Sequence, residues 1–465
     1  KYFNREVDIF NILGITACIN LFINPYALFE VGFQLTYLVL IMILLWQPYL
    51  KGIFPGVLSV SISAQLGSIV LTSYYFNLIT PIGIITNLWA IPLTGFIIII
   101  SLIALLIGII FPFVFEILEV LIKILFIILY KGMEFTSSFS WGYFEIATPK
   151  VWLVFFLYII LFLFPFIFKK RSIPVIKKKN YIQRKVFIIF LVIIVFINFY
   201  NSSQNNLETT FFSVGQGDSI LLKLPTGETI LIDGGGMAGE NSNQGEIVLL
   251  PYLKHKGIKK IDLAIITHFD TDHALGINYL LEKNRINSVL VPYGHSQNYL
   301  ARNTYKYANN NNVKIYIAKR GDIIKKEDVT LSIIHPFLEN NYLTENRNNN
   351  SIVIKVVYHD FSILLTGDLE KEGEIKLIES TDNLNSQILK VAHHGSNSST
   401  SEKLLKEVGA REAIISVGKN NYGHPSPKVI SRINKYGVRK WITEKRGAVI
   451  IKTDGFSYSI NSFIN

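Results

Sequence analysis

Apolar residues are segregated along this chain. Runs at 9–23, 32–47, 53–76, 82–111, 114–130, 151–168 and 186–200 crowd into the first 200 positions, and the remainder reads as an ordinary globular sequence. A helix that crosses a bilayer needs about 20 mostly apolar residues. The runs therefore predict a polytopic α-helical membrane domain over 1–200, a polar linker over 201–206 and a separate globular domain over 207–465. Hydrophobic residues are 50% of the 465, too large a share for one soluble enzyme. The runs at 9–23 and 186–200 are short and also suit a buried or interfacial helix. Pro92 and Gly95 interrupt the run at 82–111 and mark a broken helix.

Gln34, Ser59, Ser61, Ser63, Gln65, Asn87 and Thr94 lie among apolar neighbours. Such residues either hydrogen-bond between helices or line a hydrophilic path. The runs carry no Asp, Glu or Lys relay of the kind a proton-driven pump needs, and Glu116 and Glu119 suit an interface. Orientation follows from residues 169–185, which hold eight Lys or Arg and no acid. Short basic loops stay cytoplasmic. The run at 186–200 has no polar face, so it is expected to cross and to place the globular domain outside the cell membrane; lying flat, it would leave that domain inside. The net charge of +11 hints at an anionic partner such as nucleic acid or lipid headgroups, although much of it sits in this one loop. Cys18 is the single cysteine, which excludes an internal disulfide and a site of several thiolates. The chain opens on Lys1 without a signal-peptide pattern, as expected of a fragment.

Beyond the linker, strand-like runs at 210–214, 219–223, 229–232 and 263–267 are separated by turn signals such as Gly215-Gln216-Gly217-Asp218. Helical patterns follow at 274–283, 370–379, 401–408 and 428–436. This alternation predicts layered sheets with helices outside. The sharpest chemical signal is Thr267-His268-Phe269-Asp270-Thr271-Asp272-His273, between an apolar strand and a helical run. Packing these side chains together without a cation would crowd carboxylates and raise a pKa. Asp368 in Thr366-Gly367-Asp368, His393 and His394 before Gly395-Ser396, and His424 in Gly423-His424-Pro425 also follow strand-like runs. Asp233, ahead of Gly234-Gly235-Gly236, either orients a ligand or shapes a glycine turn. His255, His295 and His359 read as surface residues, and His335 as a residue that could border the site.

These motifs resemble the metallo-β-lactamase superfamily, with Asp270 where its His-x-His-x-Asp-His signature has a second His. Together with Val214-Gly215-Gln216-Gly217-Asp218 and His393-His394-Gly395-Ser396, they resemble the ComEC family of DNA-internalisation competence proteins. Membrane motifs agree: Asn24-Pro25-Tyr26, Val31-Gly32-Phe33-Gln34-Leu35, Ser63-Ala64-Gln65-Leu66-Gly67 and Asn87 to Leu93. The resemblance implies an αββα-sandwich metallo-β-lactamase fold after the membrane domain, and further N-terminal helices and an OB-like domain ahead of Lys1. It also implies two divalent cations, Zn²⁺ or Mn²⁺, held by His268, Asp270, Asp272, His273 and bridging Asp368. One of His393 and His394 would ligate and the other would face a phosphate; His394 is taken as the ligand. Asn350 stands near the place of a further His of the superfamily. Asn350, Ser396 and His424 would meet the substrate.

Such a site suits hydrolysis of a phosphodiester. Asp272, His393 and His424 are the expected catalytic residues, with His393 or His424 donating a proton. An oxygen ligand at Asp270 shifts preference towards a harder ion. The implied function is a DNA-uptake channel for single-stranded DNA, with an outer nuclease or phosphodiesterase domain. Membrane lipid, other uptake components and further copies of the chain are its expected partners. The alternatives are a tethered hydrolase of another phosphoester and a transporter whose hydrolase domain is inactive.

Overall fold

The computed structural model describes residues 8–108, 110–168, 206–236, 243–294, 298–337, 346–380 and 383–464. The basic loop 169–185, the run at 186–200, most of the linker and His295 lie outside the described residues. The chain divides into two compact units, one of residues 1–177 with the segment 254–257 and one of the remainder.

The first unit is helical: Ile9–Ile23, Val31–Leu50, Gly56–Phe76, Ile82–Gly108, Pro112–Ser137 and Val151–Phe168. Val31–Leu50, Gly56–Phe76 and Ile82–Gly108 are long and apolar enough to cross a membrane. Strands β1 (Leu78–Ile79) and β2 (Phe144–Glu145) form a short antiparallel pair. The break expected at Pro92 does not occur, because Ile82–Gly108 runs through it as one helix. Proline is tolerated where side chains and neighbouring helices meet the freed backbone groups. Two residues on, Thr94 Oγ1 donates back to the Ala90 and Ile91 carbonyls at 2.9 Å each. Several of the polar residues of this unit hydrogen-bond within it. Ser61 Oγ donates to the Ile84 carbonyl of the next helix at 3.0 Å, and the Tyr75 hydroxyl reaches Gln34 Oε1 at 3.0 Å. Gly67 faces the Val39 backbone so closely that a Cβ would lie 2.7 Å from Val39 Cα. Small residues at such crossings let helices approach.

The second unit contains two sheets. The first has eight strands in the order β17-β16-β3-β4-β5-β6-β7-β8. These are β3 (Leu207–Phe211), β4 (Ile220–Lys223), β5 (Thr229–Ile232), β6 (Leu263–Ile265), β7 (Ser288–Val291), β8 (Lys314–Ile317), β16 (Val449–Thr453) and β17 (Tyr458–Ser462). The second has seven, in the order β15-β14-β13-β12-β11-β10-β9. These are β9 (Ile323–Lys326), β10 (Val329–His335), β11 (Val353–Tyr358), β12 (Phe361–Leu365), β13 (Ile388–Lys390), β14 (Glu412–Ile415) and β15 (Arg439–Ile442).

Side-chain alternation sorts each strand between two apolar layers. Ile220 and Leu222 of β4, Ile230 and Ile232 of β5, and Ile363 and Leu365 of β12 fill the space between the sheets. The intervening Leu221 and Leu231 face outwards against Ile277 and Leu280 of the helix Thr271–Glu282. On the far side, Leu364 packs in a layer with Leu404, Leu405, Val429 and Ile433. Both faces of the central strands are therefore buried, which explains their continuous apolar runs. The layers form the αββα sandwich of the metallo-β-lactamase fold. β3 begins earlier than the expected 210–214 because it pairs with β16 from Leu207 to Phe211. The residues after Phe211 leave that ladder for the loop that carries Asp218.

Candidate metal centre

The site lies where parallel strands of both sheets end. β5 and β6 are parallel, as are β12, β13 and β14. Asp233 follows β5, His268 follows β6, Asp368 follows β12, and His393 and His394 follow β13. Asp272 and His273 occupy the first turn of the helix Thr271–Glu282, and Asp270 is its N-cap residue. Asp233, His393 and His394 have positive φ (57°, 51° and 53°), an uncommon conformation that is strained and needs supporting structure.

These turns bring four side chains together. Asp272, His273, Asp368 and His394 each offer a ligand atom, and these atoms all lie within 4.8 Å of one another. His273 Nε2 is 3.2 Å from Asp368 Oδ2, and His394 Nε2 is 3.3 Å from both Asp272 Oδ2 and Asp368 Oδ2. His268 lies beside this group, its ring tilted against that of His273 with centroids 4.0 Å apart. His268 Nε2, His273 Nε2, His394 Nε2 and Asp368 Oδ1 are buried without a hydrogen-bond partner. Orphaned buried donors and acceptors are costly, and the two imidazoles and two carboxylates of the group are donor types of a Zn²⁺ or Mn²⁺ site. The residues therefore fit a divalent cation.

The other ring nitrogens are held from behind. His273 Nδ1 is 2.9 Å from Asp233 Oδ2, and Asp233 accepts the Thr267 N–H at 2.8 Å and the Thr267 hydroxyl at 2.7 Å. His394 Nδ1 is 2.9 Å from the Ser416 carbonyl, which makes it the donor. His268 Nδ1 lies 3.1 Å from Thr267 Oγ1. Such contacts fix ring orientation and leave each Nε2 facing the centre. Gly217 is required here: a Cβ would strike the Asp272 carbonyl, and its φ of 143° suits glycine.

Charge in the cluster is unevenly distributed. Burial pushes His268 well below its ordinary pKa, and neighbouring His273 adds to this. Burial also opposes protonation of His273, but Asp368, Asp233 and Asp272 outweigh it and raise its pKa well above the usual range. His394 is likewise disfavoured by burial yet raised to about 10, mainly by Asp368 and Asp272. Without a cation, protons on these rings hold the carboxylates together; a bound cation would replace them.

Other expected residues are placed differently. Asp270 Oδ1 accepts from Arg347 Nη1 at 3.0 Å, and its Oδ2 lies 3.8 Å from His268 Nε2. His393 is half-buried, with Nδ1 3.3 Å from Glu370 Oε1 and Nε2 3.9 Å from Asp368 Oδ2. His424 lies beside it, with centroids 5.6 Å apart. Burial lowers the His424 pKa, aided by the two neighbouring imidazoles. Gln216 Nε2 is 3.4 Å from His424 Nδ1. Ser396 turns to Ser398 Oγ at 3.0 Å, and Asn350 Nδ2 donates to the Asn346 carbonyl at 3.1 Å. His335 Nδ1 is 2.9 Å from the Ser351 carbonyl.

Sequence reasoning missed Lys390. This fully buried lysine pairs with Asp218, donates to the Gly367 carbonyl at 2.9 Å and lies 3.7 Å from Asp368 Oδ1. Burial opposes its charge, but Asp218 and Asp368 more than compensate and raise its pKa. It also missed the walls of the cleft above the cluster. This cleft of about 570 Å³ is lined by Arg347, Asn298, Tyr299 and Tyr422, which the sequence did not mark, together with the expected His393 and His424.

Comparison with known proteins agrees with both halves. Residues 1–171 match the family model described as Competence protein, and residues 213–419 match the Metallo-beta-lactamase superfamily. The chain is 31% identical over 453 residues to ComE operon protein 3 of Bacillus subtilis, covering 92% of this chain and 56% of that protein. It is 26% identical over 250 residues to Competence protein ComA of Neisseria gonorrhoeae, covering 53% of this chain and 32% of that protein. The chain thus spans about half the length of the first relative and about a third of the second. Among solved structures, the metallo-beta-lactamase fold protein YhfI from Bacillus subtilis aligns with a TM-score of 0.36 and 11% identity, over 52% of this chain and 98% of that one.

Proposed function

Because this chain joins a competence-protein domain to a metallo-β-lactamase superfamily domain, we propose that it acts in DNA uptake at the cell membrane. On this reading its helices pass single-stranded DNA, and its globular domain, on the outer face, is a metal-dependent phosphodiesterase that cleaves DNA. The observation that carries the hydrolytic part is the cluster Asp272, His273, Asp368 and His394, of which Asp272 and His394 line an open cleft. Exposed Tyr299 and Tyr422 on the walls supply faces on which unpaired bases stack.

Asp272, His273, Asp368 and His394 would hold the cation, Mn²⁺ or Zn²⁺. When bound, it would polarise a phosphate and lower the pKa of a water. The chain's own groups do the rest. Asp233 holds His273 in register. Gln216 donates to His424 Nδ1, which leaves the proton of the neutral ring on Nε2, ready for a leaving oxygen. His393, against Glu370, is the second proton carrier, and Ser396 and Asn350 shape the loops beside the phosphate position. Other uptake components and further copies of the chain are the partners this reading implies.

The test is cleavage of labelled single- and double-stranded DNA by the full chain purified in detergent, with Mn²⁺ or Zn²⁺. DNA cleavage that EDTA abolishes is the expected result. Hydrolysis of small phosphodiesters alone would indicate another phosphoester as substrate. A chain that binds no metal and cleaves nothing would indicate an inactive domain. A second expectation concerns Asp233→Asn, which removes the charge behind His273. Metal affinity should fall by about 10–100-fold, read by calorimetric titration. Unchanged affinity would remove Asp233 from the supporting shell.

A further inference from the structure

The residues fit one cation well and a second one poorly. A cation in such a site needs three or four protein donors. Asp272, His273, Asp368 and His394 supply them on one side. On the other side stand His268 Nε2 and Asp270 Oδ2, 3.8 Å apart. Among the described residues, no third His, Cys, Asp or Glu joins that pair within the spacing the first group shows. The other oxygen of Asp270 is engaged by Arg347 at 3.0 Å, and Arg347 lines the same cleft. A guanidinium is charged at all working pH values, and its planar fork matches phosphate oxygens. A fixed positive charge therefore already stands where a second cation would add one.

We infer that the centre retains a single divalent cation between Asp272, His273, Asp368 and His394, and that Arg347, anchored by Asp270, binds a phosphate oxygen on the His268 side. This rests on the phosphodiester reading above for its substrate, but not for its metal count. Arg347 is thereby a substrate-binding residue, and Asp270 positions it rather than ligating.

Elemental analysis of the full chain, loaded with excess Mn²⁺ in detergent and then desalted, should find one ion per chain. Asp270→Ala should leave that number unchanged. Two ions per chain, one of them lost in Asp270→Ala, would overturn the inference. In the loaded chain, calorimetry with inorganic phosphate should show roughly tenfold weaker binding for Arg347→Ala at equal metal content. Arg347→Lys, which keeps the charge but not the fork, should fall between. The Arg347 side chain is 55% exposed, so the fold should survive either change. Equal phosphate affinity in Arg347→Ala would also overturn the inference. If one ion and Arg347-dependent phosphate binding are found but DNA is not cleaved, the DNA reading fails and this one stands.

Discussion

Asp368→Ala should abolish hydrolysis and strip the centre of its cation. Asp368 Oδ2 is within 3.3 Å of both His273 Nε2 and His394 Nε2, so it touches both imidazole ligands of the cluster. Metal assistance is worth several kcal/mol of transition-state stabilisation, and each 1.4 kcal/mol is a factor of ten. The expected loss is therefore roughly a thousandfold or more in rate. Loss of bound Mn²⁺ or Zn²⁺ should accompany it in elemental analysis. Asp368→Asn, which keeps the side-chain volume, should fail in the same way while melting near the temperature of the metal-free parent. A variant that keeps both metal and rate would show that Asp368 is not a ligand.

Lys390→Met should damage the fold rather than the chemistry first. Lys390 is fully buried and neutralises Asp218, with Asp368 at 3.7 Å. Removing one partner of a buried ion pair leaves an uncompensated charge and costs about 3–5 kcal/mol. For a domain of this size that is a fall of roughly 6–20 °C in melting temperature. Adding Asp218→Asn to Lys390→Met should recover part of the loss, because the stranded charge is then gone. Additive losses in this double-mutant cycle would mean that the two residues do not act as a pair.

The parts of the site that were legible in the sequence are those packed into short segments. His268, Asp272 and His273 lie within six positions, and Asp368 and His394 follow apolar strands, so residue type and spacing marked them. Lys390 was hidden because a lysine at the end of a short apolar strand reads as a solvent-facing side chain. Its partner Asp218 is 172 positions away, and nothing local joins them. Arg347 was hidden in a stretch of asparagines, and its meaning depends on Asp270 across the cleft. Layered sheets with helices outside followed from alternating strands and helices, and the αββα sandwich from the family resemblance. The persistence of the helix through Pro92 did not, because whether a proline breaks a membrane helix depends on its surroundings in the fold.

The four clustered side chains come from different halves of the sandwich. Asp272 and His273 follow β6 of the eight-stranded sheet, whereas Asp368 and His394 follow β12 and β13 of the seven-stranded one. An ion gripped by all four is a rivet through both layers, so the layers cannot part without letting it go. Mass action then ties the resilience of the whole domain to its surroundings: resistance to unfolding should climb with the logarithm of the free metal concentration. On the outward-facing placement proposed above, that concentration would be set by the medium, and the domain would be sturdiest where the metal is plentiful.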